Sequence, residues 1–545
     1  MSATAIPEAR RRALRGPDAR VPTALLVSDT VADHAQKDHD RVALLERGGV
    51  GTTYGRLHDL TGRLISLLTG HGCGPGGRVA VAGTRSADTV AAFLALERIG
   101  AVYVPVDTGW PEQRLRQVLG QTDCSFVLLT AGEGGADAGG LNSALALAAA
   151  GSGAKLLTTA DAARQKPAWE REPERQGADR EPRYIVHTSG STGRPKGAIV
   201  EHGAMVNHLW HMVEALGIRR DDVVAFSAPP VHVVAIWQML APLLAGATVA
   251  VVPQGAESFP RPLLRALRQD RVTVLQLVPT MMNLVADELS RYDPATWLPG
   301  LRWLISTGEE LSPLLAGRIL ELLPDTRLMN AYGMSECSDD VAQHVVRAED
   351  LRSPRLPVGL PITNAVLHVL VEDGLAWRPA HHGETGELFV GGLPVGAGYA
   401  GAAQGQSAAF FHDTIDPDSP NRRLYRTGDL VRIENGLLYC LGRTDRQIKI
   451  RGVRVELDEV ERALEQHPDV SQCAVTADAA RAVVELTAHV VVDGGTTVQE
   501  LYAFLQERLP KTMLPQHWEN VMSLPVTRSG KVDYRALGSR PSLGR

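Results

Sequence analysis

From about residue 25 the chain alternates amphipathic helical stretches with short β-branched runs. Residues 89–99 carry a helical period, Gly100 stops it, and the run AVYVPV over 101–106 reads as the strand that follows. The same alternation recurs at 223–227, 249–252, 272–277 and 301–306. Continuous apolar strands between helices predict an α/β fold, a doubly wound domain with largely buried parallel strands. The longest apolar run, 235–252, is interrupted by Gln238, Pro242 and Gly246, so it predicts a buried helix, a turn and a strand rather than a membrane span. Residues 131–180, rich in Ala, Gly and charge, read as a variable, partly mobile insertion without chemistry. Beyond about Gly359 the texture changes to short strands and turns, as in GELFVGGLPVGAGY, which predicts a small β-rich subdomain. From about Arg446 a compact α+β unit of roughly 100 residues is expected. The expected organisation is a disordered tail over 1–24, a large core over 25–444 and a small mobile domain over 445–545.

Composition narrows the class. With 56 Lys and Arg against 62 Asp and Glu, the chain has a net charge of −6 and no electrostatic footprint for nucleic acid or an anionic membrane. The five cysteines are odd in number and never paired as CxxC, which reads as reduced thiols rather than a disulfide or zinc framework. Arg10, Arg11, Arg12, Arg15 and Arg20 have no apolar stretch behind them, so the N-terminus is not read as a secretory signal and a cytoplasmic location is expected.

The candidate chemistry begins at YIVHTSGSTGRPKGAIV, residues 184–200. Two apolar runs flank a turn of Thr188, Ser189, Gly190, Ser191, Thr192, Gly193 and Lys196. Small residues let backbone N–H groups approach phosphate oxygens, hydroxyls add donors and a lysine adds charge. The spacing is not that of the GxxxxGK[ST] loop. A polar hairpin turn would account for a Gly/Ser cluster, but not for the whole ordered string.

At this string the sequence resembles the adenylate-forming superfamily, which includes acyl-CoA ligases, luciferase and the adenylation domains of nonribosomal peptide synthetases. The resemblance runs in order through AVYVPVDTGWPEQR, TSGSTGRPKG, NAYGMSE, YRTGDL, GRTDRQIKIRGVRVELDEVE and SGKVDY. It implies ATP and Mg²⁺ as cofactors and a small carboxylic acid as substrate. It assigns Tyr332 to the adenine ring with Asn330 and Ala331 beside the base, Ser335 to phosphate, Glu336 to Mg²⁺ and Asp429 to the ribose hydroxyls. Arg443 and Lys449 are placed near the nucleotide. Lys531 bridges the substrate carboxylate and the α-phosphate, and Asp445 is the hinge about which the C-terminal domain turns between two reactions.

Amino-acid-activating relatives hold the substrate α-ammonium with an Asp in a motif like FDxSxWxM. Here the stretch is HVVAIWQM, and Trp237 and Met239 place Val233 at that position. An α-ammonium against valine is an unpaired buried charge, so an ordinary α-amino acid is not expected. His232 resembles the histidine of aryl- and acyl-acid ligases and is a candidate gate or carboxylate contact; a satisfied core histidine is the alternative. By the same register the pocket holds Val234, Trp237, Gln276, Ile305, Thr307, Ala331, Asp339 and Asp340. Two adjacent carboxylates in such a pocket call for a cation, which points to a β- or ω-amino acid such as β-lysine, or a guanidino acid. Strand alternation could instead turn one Asp away, which favours a hydroxy, keto or aryl acid.

The chain stops fourteen residues after Lys531, so a freestanding enzyme acting on the thiol of a separate carrier protein is expected. NAYGMSE departs from the peptide-synthetase NxYGPTE, which leaves CoA or a direct amine acceptor open. A non-catalytic nucleotide-binding protein is the alternative of another class; Glu336, Asp429 and Lys531 together argue against it.

Overall fold

A computed structural model describes residues 5–46, 50–130, 143–169, 178–190, 194–292, 297–374, 376–401, 409–478, 484–492, 495–526 and 532–538. Two large sheets dominate. One has nine strands, with parallel pairing from Val42–Glu46 through Thr248–Val251, Val223–Phe226, Val274–Leu277 and Trp303–Ser306 to Arg327–Met334. The other has seven, centred on parallel Arg78–Ala82 and Val102–Val106, and carries the antiparallel hairpin Pro182–Thr188 and Lys196–Glu201 near one edge. A single apolar cluster joins the facing sides of both: Tyr103, Val186 and Val200 from one sheet, Phe226, Val249 and Ile305 from the other. Between them lie the helices Ala87–Arg98, His202–Leu216 and Val234–Leu244. Both faces of these strands are covered, which is why they read as continuous hydrophobic runs.

The 235–252 run resolves as expected into the helix Val234–Leu244, a turn at Gly246 and the strand Thr248–Val251. Past Gly359 a seven-stranded antiparallel sheet is built around Ala365–Asp373, Gly386–Gly392 and Arg423–Glu434. The last unit has its own core, in which Val460 and Leu464 of helix Leu457–Leu464 pack on Val475 and Ala488 of a three-stranded sheet. Among the described residues no helix is long and apolar enough to cross a membrane.

Two expectations are corrected. The segment expected as a disordered tail forms helix Ala5–Arg12 and strand Leu14–Arg15, which pairs with Leu367 and Val366. Two of its arginines, though exposed, are paired within the fold: Arg10 and Arg15 meet Asp416 at 3.1 and 2.9 Å, four hundred residues downstream. Within the expected insertion, helix Ser143–Ser152 and strand Lys155–Thr158 extend the seven-stranded sheet, because Leu145, Ala148 and Leu157 are buried there.

Candidate functional site

The hairpin Pro182–Thr188/Lys196–Glu201 closes with Thr188 opposite Lys196, so the polar turn projects from the end of the sheet. Ser191, Thr192 and Gly193 lie outside the described residues. Gly190 is held where no side chain fits, since a Cβ there would stand 2.1 Å from the Arg194 carbonyl oxygen. The Lys196 ammonium sits over the Tyr399 ring, 5.8 Å from its centre.

Strand Arg327–Met334 delivers the next group. Asn330 donates to the Pro357 carbonyl at 2.9 Å. The Tyr332 hydroxyl donates to Asp429 Oδ2, and Arg443 approaches the other oxygen of that carboxylate at 2.5 Å. Burial, reinforced by the Asp429 charge, holds the Tyr332 phenol well above its ordinary range, so it stays a donor. Ser335 and Glu336 open the short 3₁₀ turn Ser335–Cys337. Glu336 is fully buried, and its Oε1 accepts from Tyr399 at 2.7 Å and from Arg454 at 2.8 Å. Burial pushes its carboxyl up, but the Arg454 guanidinium and the Tyr399 hydroxyl outweigh burial and hold it below the usual range. Its Oε2 has no hydrogen-bond partner among the described residues. An ionised carboxylate with one free oxygen fits a hard divalent cation that takes its other ligands from phosphate and water.

Arg443 also grips Asp445 through two contacts of 2.7 and 2.8 Å. Beyond Asp445 the hairpin Gln447–Ile450/Val453–Glu456 brings Arg454 against Glu336. Four contacts dock it and the following helix: Arg454 on Glu336, the Ser189 hydroxyl on the Arg454 carbonyl at 2.7 Å, Gly190 N–H on Glu459 at 3.0 Å, and Gly452 N–H on Glu309 at 3.0 Å. Glu459 is itself paired with Arg114 at 3.0 Å, both side chains buried. Half-buried Lys449 lies in the same hairpin, near enough to Asp429 for that carboxylate to counter the burial that lowers its ammonium pKa.

Lys531 lies outside the described residues. Its flanks, Val526 and Val532, bridge each other, and Tyr534 donates to Glu461 at 3.2 Å beneath the Arg446 guanidinium. Glu459 and Glu461 are two residues apart on one helix, about 200° around its axis. The turn at Gly190 and the Lys531 flank therefore meet opposite sides of helix Leu457–Leu464.

Expected substrate positions fall at the start of helix Val234–Leu244 and on strands Val274–Leu277 and Trp303–Ser306. Val233, Ile305, Thr307 and Ala331 are buried, Val234 is half-buried, and Trp237 donates its indole N–H to Gln276 at 2.7 Å. His232 is half-buried just before the helix; burial lowers its pKa, with Asp107 acting against that. Asp339 and Asp340 are both buried, at 4% and 0% exposure. Simple alternation fails here because Asp339 has φ +100° and the pairing slips between Tyr332 and Gly333. Asp340 accepts from Gln343 at 3.1 Å. Burial raises the Asp339 carboxyl to about 8; burial and the Asp339 charge raise Asp340 to about 7.

Sequence reasoning missed Arg114, Tyr399, Arg454 and Glu459. Arg114, Arg454 and Glu459 stand inside the strings that carried the resemblance, and Tyr399 closes the run GELFVGGLPVGAGY. It also missed Glu309 and His208, for which no local signal exists. His208 comes to the pocket only because its helix packs across the sheet, with Nε2 3.5 Å from Asp339.

Residues 31–400 match the family model described as AMP-binding enzyme, and residues 459–531 match the AMP-binding enzyme C-terminal domain. The chain is 33% identical over 547 residues to phosphinothricin tripeptide synthetase PhsB of Streptomyces viridochromogenes, covering 97% of this chain and 43% of that protein. It is 31% identical over 539 residues to enterobactin synthase component F of Escherichia coli, covering 96% and 40%. It thus spans less than half the length of these curated relatives. Among solved structures, holo-PA1221, a nonribosomal peptide synthetase protein containing adenylation and PCP domains, superposes with a TM-score of 0.79 at 25% identity, covering 94% of this chain and 84% of that one. The artificially fused adenylation–PCP di-domain NpsA-ThdA from Klebsiella oxytoca gives 0.77 at 25% identity, covering 91% and 93%.

Proposed function

Because the chain belongs to the AMP-binding enzyme family, we propose that it activates a carboxylic acid with ATP as an acyl-adenylate, releases pyrophosphate, and passes the acyl group to the phosphopantetheine thiol of a carrier protein. The observation that carries this reading is the gathering of Lys196, Tyr332, Glu336 and Asp429 from sequence-distant elements, Lys196 and Glu336 through Tyr399, Glu336 with Arg454, and Tyr332 and Asp429 with Arg443.

Attack by a carboxylate on the α-phosphate needs charge neutralisation and in-line positioning rather than a protein nucleophile. In the proposed roles Tyr332 faces the adenine, Asp429 accepts from the ribose hydroxyls, and the turn at Thr188, Ser189 and Gly190 with Lys196 receives the phosphates. Glu336 Oε2 would hold Mg²⁺, which neutralises phosphate charge when bound. Lys531 would bridge the carboxylate and the α-phosphate. A turn of the C-terminal unit about Asp445 is supported by the placement of the Lys531 flank and the turn at Gly190 on opposite sides of one helix. Transfer to a carrier thiol is supported by the two structural neighbours, each of which joins an adenylation domain to a PCP domain.

The acid itself is proposed to carry a positive charge away from its α-carbon. Val233 offers nothing to an α-ammonium, while Asp339 and Asp340 each leave an unpaired oxygen among the described residues. Exchange of labelled pyrophosphate into ATP, run across α-, β- and ω-amino acids, guanidino acids and neutral acids, tests the reading. Exchange with a β- or ω-cationic acid and none with ordinary α-amino acids is expected. Absence of exchange with every acid would leave only nucleotide binding.

A further inference from the structure

Three buried groups with no part in the nucleotide chemistry converge beside the expected acyl pocket. His208 lies on helix His202–Leu216, and Asp339 and Asp340 open strand Asp339–Val345. One ligand atom from each lies within 4.8 Å of the other two. The three residues are 3%, 4% and 0% exposed. Among the described residues, neither ring nitrogen of His208 has a hydrogen-bond partner, and nor does Asp339 Oδ2 or Asp340 Oδ1. Buried polar atoms are nearly always paired, so four orphans at one point have the form of a receptor rather than a core.

Building on the reading that the acid carries a positive charge, we infer that His208, Asp339 and Asp340 together receive a primary ammonium of the substrate, and that the trio selects ammonium over guanidinium. An –NH₃⁺ group directs three N–H donors from one nitrogen. Acceptors placed about 2.8 Å from that nitrogen at tetrahedral angles stand about 4.6 Å apart, inside the 4.8 Å bound of the cluster, whose His208 Nε2 and Asp339 Oδ2 stand 3.5 Å apart while it is empty. A guanidinium instead presents donors along the edges of a plane and pairs best with one carboxylate side-on. Asp340 Oδ2 already accepts from Gln343, which disfavours a fork on that carboxylate, and Asp339 Oδ2 faces His208 Nε2 at 3.5 Å rather than standing open side-on.

Protonation states agree with this arrangement. Burial lowers His208 to about 4 against the opposing charge of Asp340, so the imidazole is neutral and one nitrogen can accept. The empty carboxyl pair, at about 8 and 7, holds protons near neutrality that an entering ammonium displaces. The other groups facing the pair are Lys449, which lowers both carboxyls, Tyr184, whose phenol feels Asp339, and His211, held by Thr363 and Gln343. An amine substrate should therefore bind more tightly as pH rises through the titration of the pair, whereas an uncharged isostere should not.

The test is ATP–pyrophosphate exchange by the whole chain with β-alanine, γ-aminobutyrate and β-lysine, their N-amidino derivatives, and methyl-terminated isosteres. An amine is expected to be preferred over its amidino derivative by at least about tenfold in kcat/KM. His208→Ala and Asp340→Asn should each raise KM for the amine about tenfold and change the methyl isostere less than about threefold, with His208→Gln restoring part of the loss. KM for the amine alone should fall with rising pH. If His208→Ala impairs amine and isostere alike, or an amidino acid is the best substrate, the ammonium receptor is overturned while the cationic reading stands. If a neutral acid is best, that reading falls instead. Loss of exchange on chelation, restored by Zn²⁺ at fixed Mg²⁺, would make the trio a metal site and overturn the inference.

Discussion

Asp339 illustrates how a single residue can be held against its own preference. Its backbone sits at φ +100°, outside the ordinary L-residue regions, and its carboxyl is raised to about 8, chiefly by burial. In an unfolded chain the same group titrates near 4. Between those values the folded state binds the extra proton, so the slope of stability with pH is negative. Asp339 thus destabilises the empty protein progressively as pH rises from about 4 to about 8. Asp339→Asn removes that penalty. Its melting temperature should equal the parent's at pH 5 and exceed it at pH 8 by about 2 °C or more, the order expected for 1 kcal/mol. Thermal melts at both pH values check this; equal shifts at both would mean that the carboxyl titrates normally. Stability gained by dismantling a site is what a functional rather than structural pair predicts.

At the scale of elements, the hairpin Gln447–Ile450/Val453–Glu456 is the part on which the two chemical steps should separate. Its tip is carried by Gly452, at φ +76°, whose N–H donates to Glu309. Glu309 is oriented by Thr280, which donates to it from both backbone and hydroxyl at 3.0 and 2.7 Å. A hydrogen bond to a charged group contributes about 1.5–3 kcal/mol. Glu309→Ala should therefore slow transfer of the acyl group to a carrier or pantetheine thiol by about tenfold or more, with pyrophosphate exchange changed less than about threefold. Paired assays on one preparation decide the matter. Equal losses in both would place Glu309 in the adenylation step instead.

For the whole molecule, the docked arrangement and a loaded phosphate turn compete for the same donors. Gly190 N–H is taken by Glu459, and the Ser189 hydroxyl by the Arg454 carbonyl. ATP should release the C-terminal unit. Dyes at the exposed positions Leu314 and Tyr502, one on each unit, should change their energy transfer when ATP or pyrophosphate is added, but not with AMP. Glu459→Ala should lower the ATP concentration needed by about tenfold. An ATP-insensitive signal would show that docking and phosphate binding coexist. Lys531→Ala belongs at the same scale. Loss of a cation where negative charge develops costs about 3–4 kcal/mol, so exchange should fall by two orders of magnitude or more. Transfer from a preformed adenylate should survive; if it fails equally, the lysine serves both steps.

How much of this was legible depended on whether a signal is local. The α/β core could be read from residues such as those of Val102–Val106 and Val223–Phe226, because strands covered on both faces are apolar along their length. The strings that carried the family resemblance were equally readable, since each is contiguous along the chain. Arg10 and Arg15 were misread because their partner Asp416 is distant in sequence and identical in composition to any surface acid. His208 carried no mark at all: a histidine on an apolar helix face is ordinary until packing brings it to Asp339. The sequence by itself determined the fold class, through periodicity, and the family, through the contiguous motifs that carry the resemblance. The tertiary structure alone decided which charges share a buried space, because burial and distance, not order along the chain, set their energies.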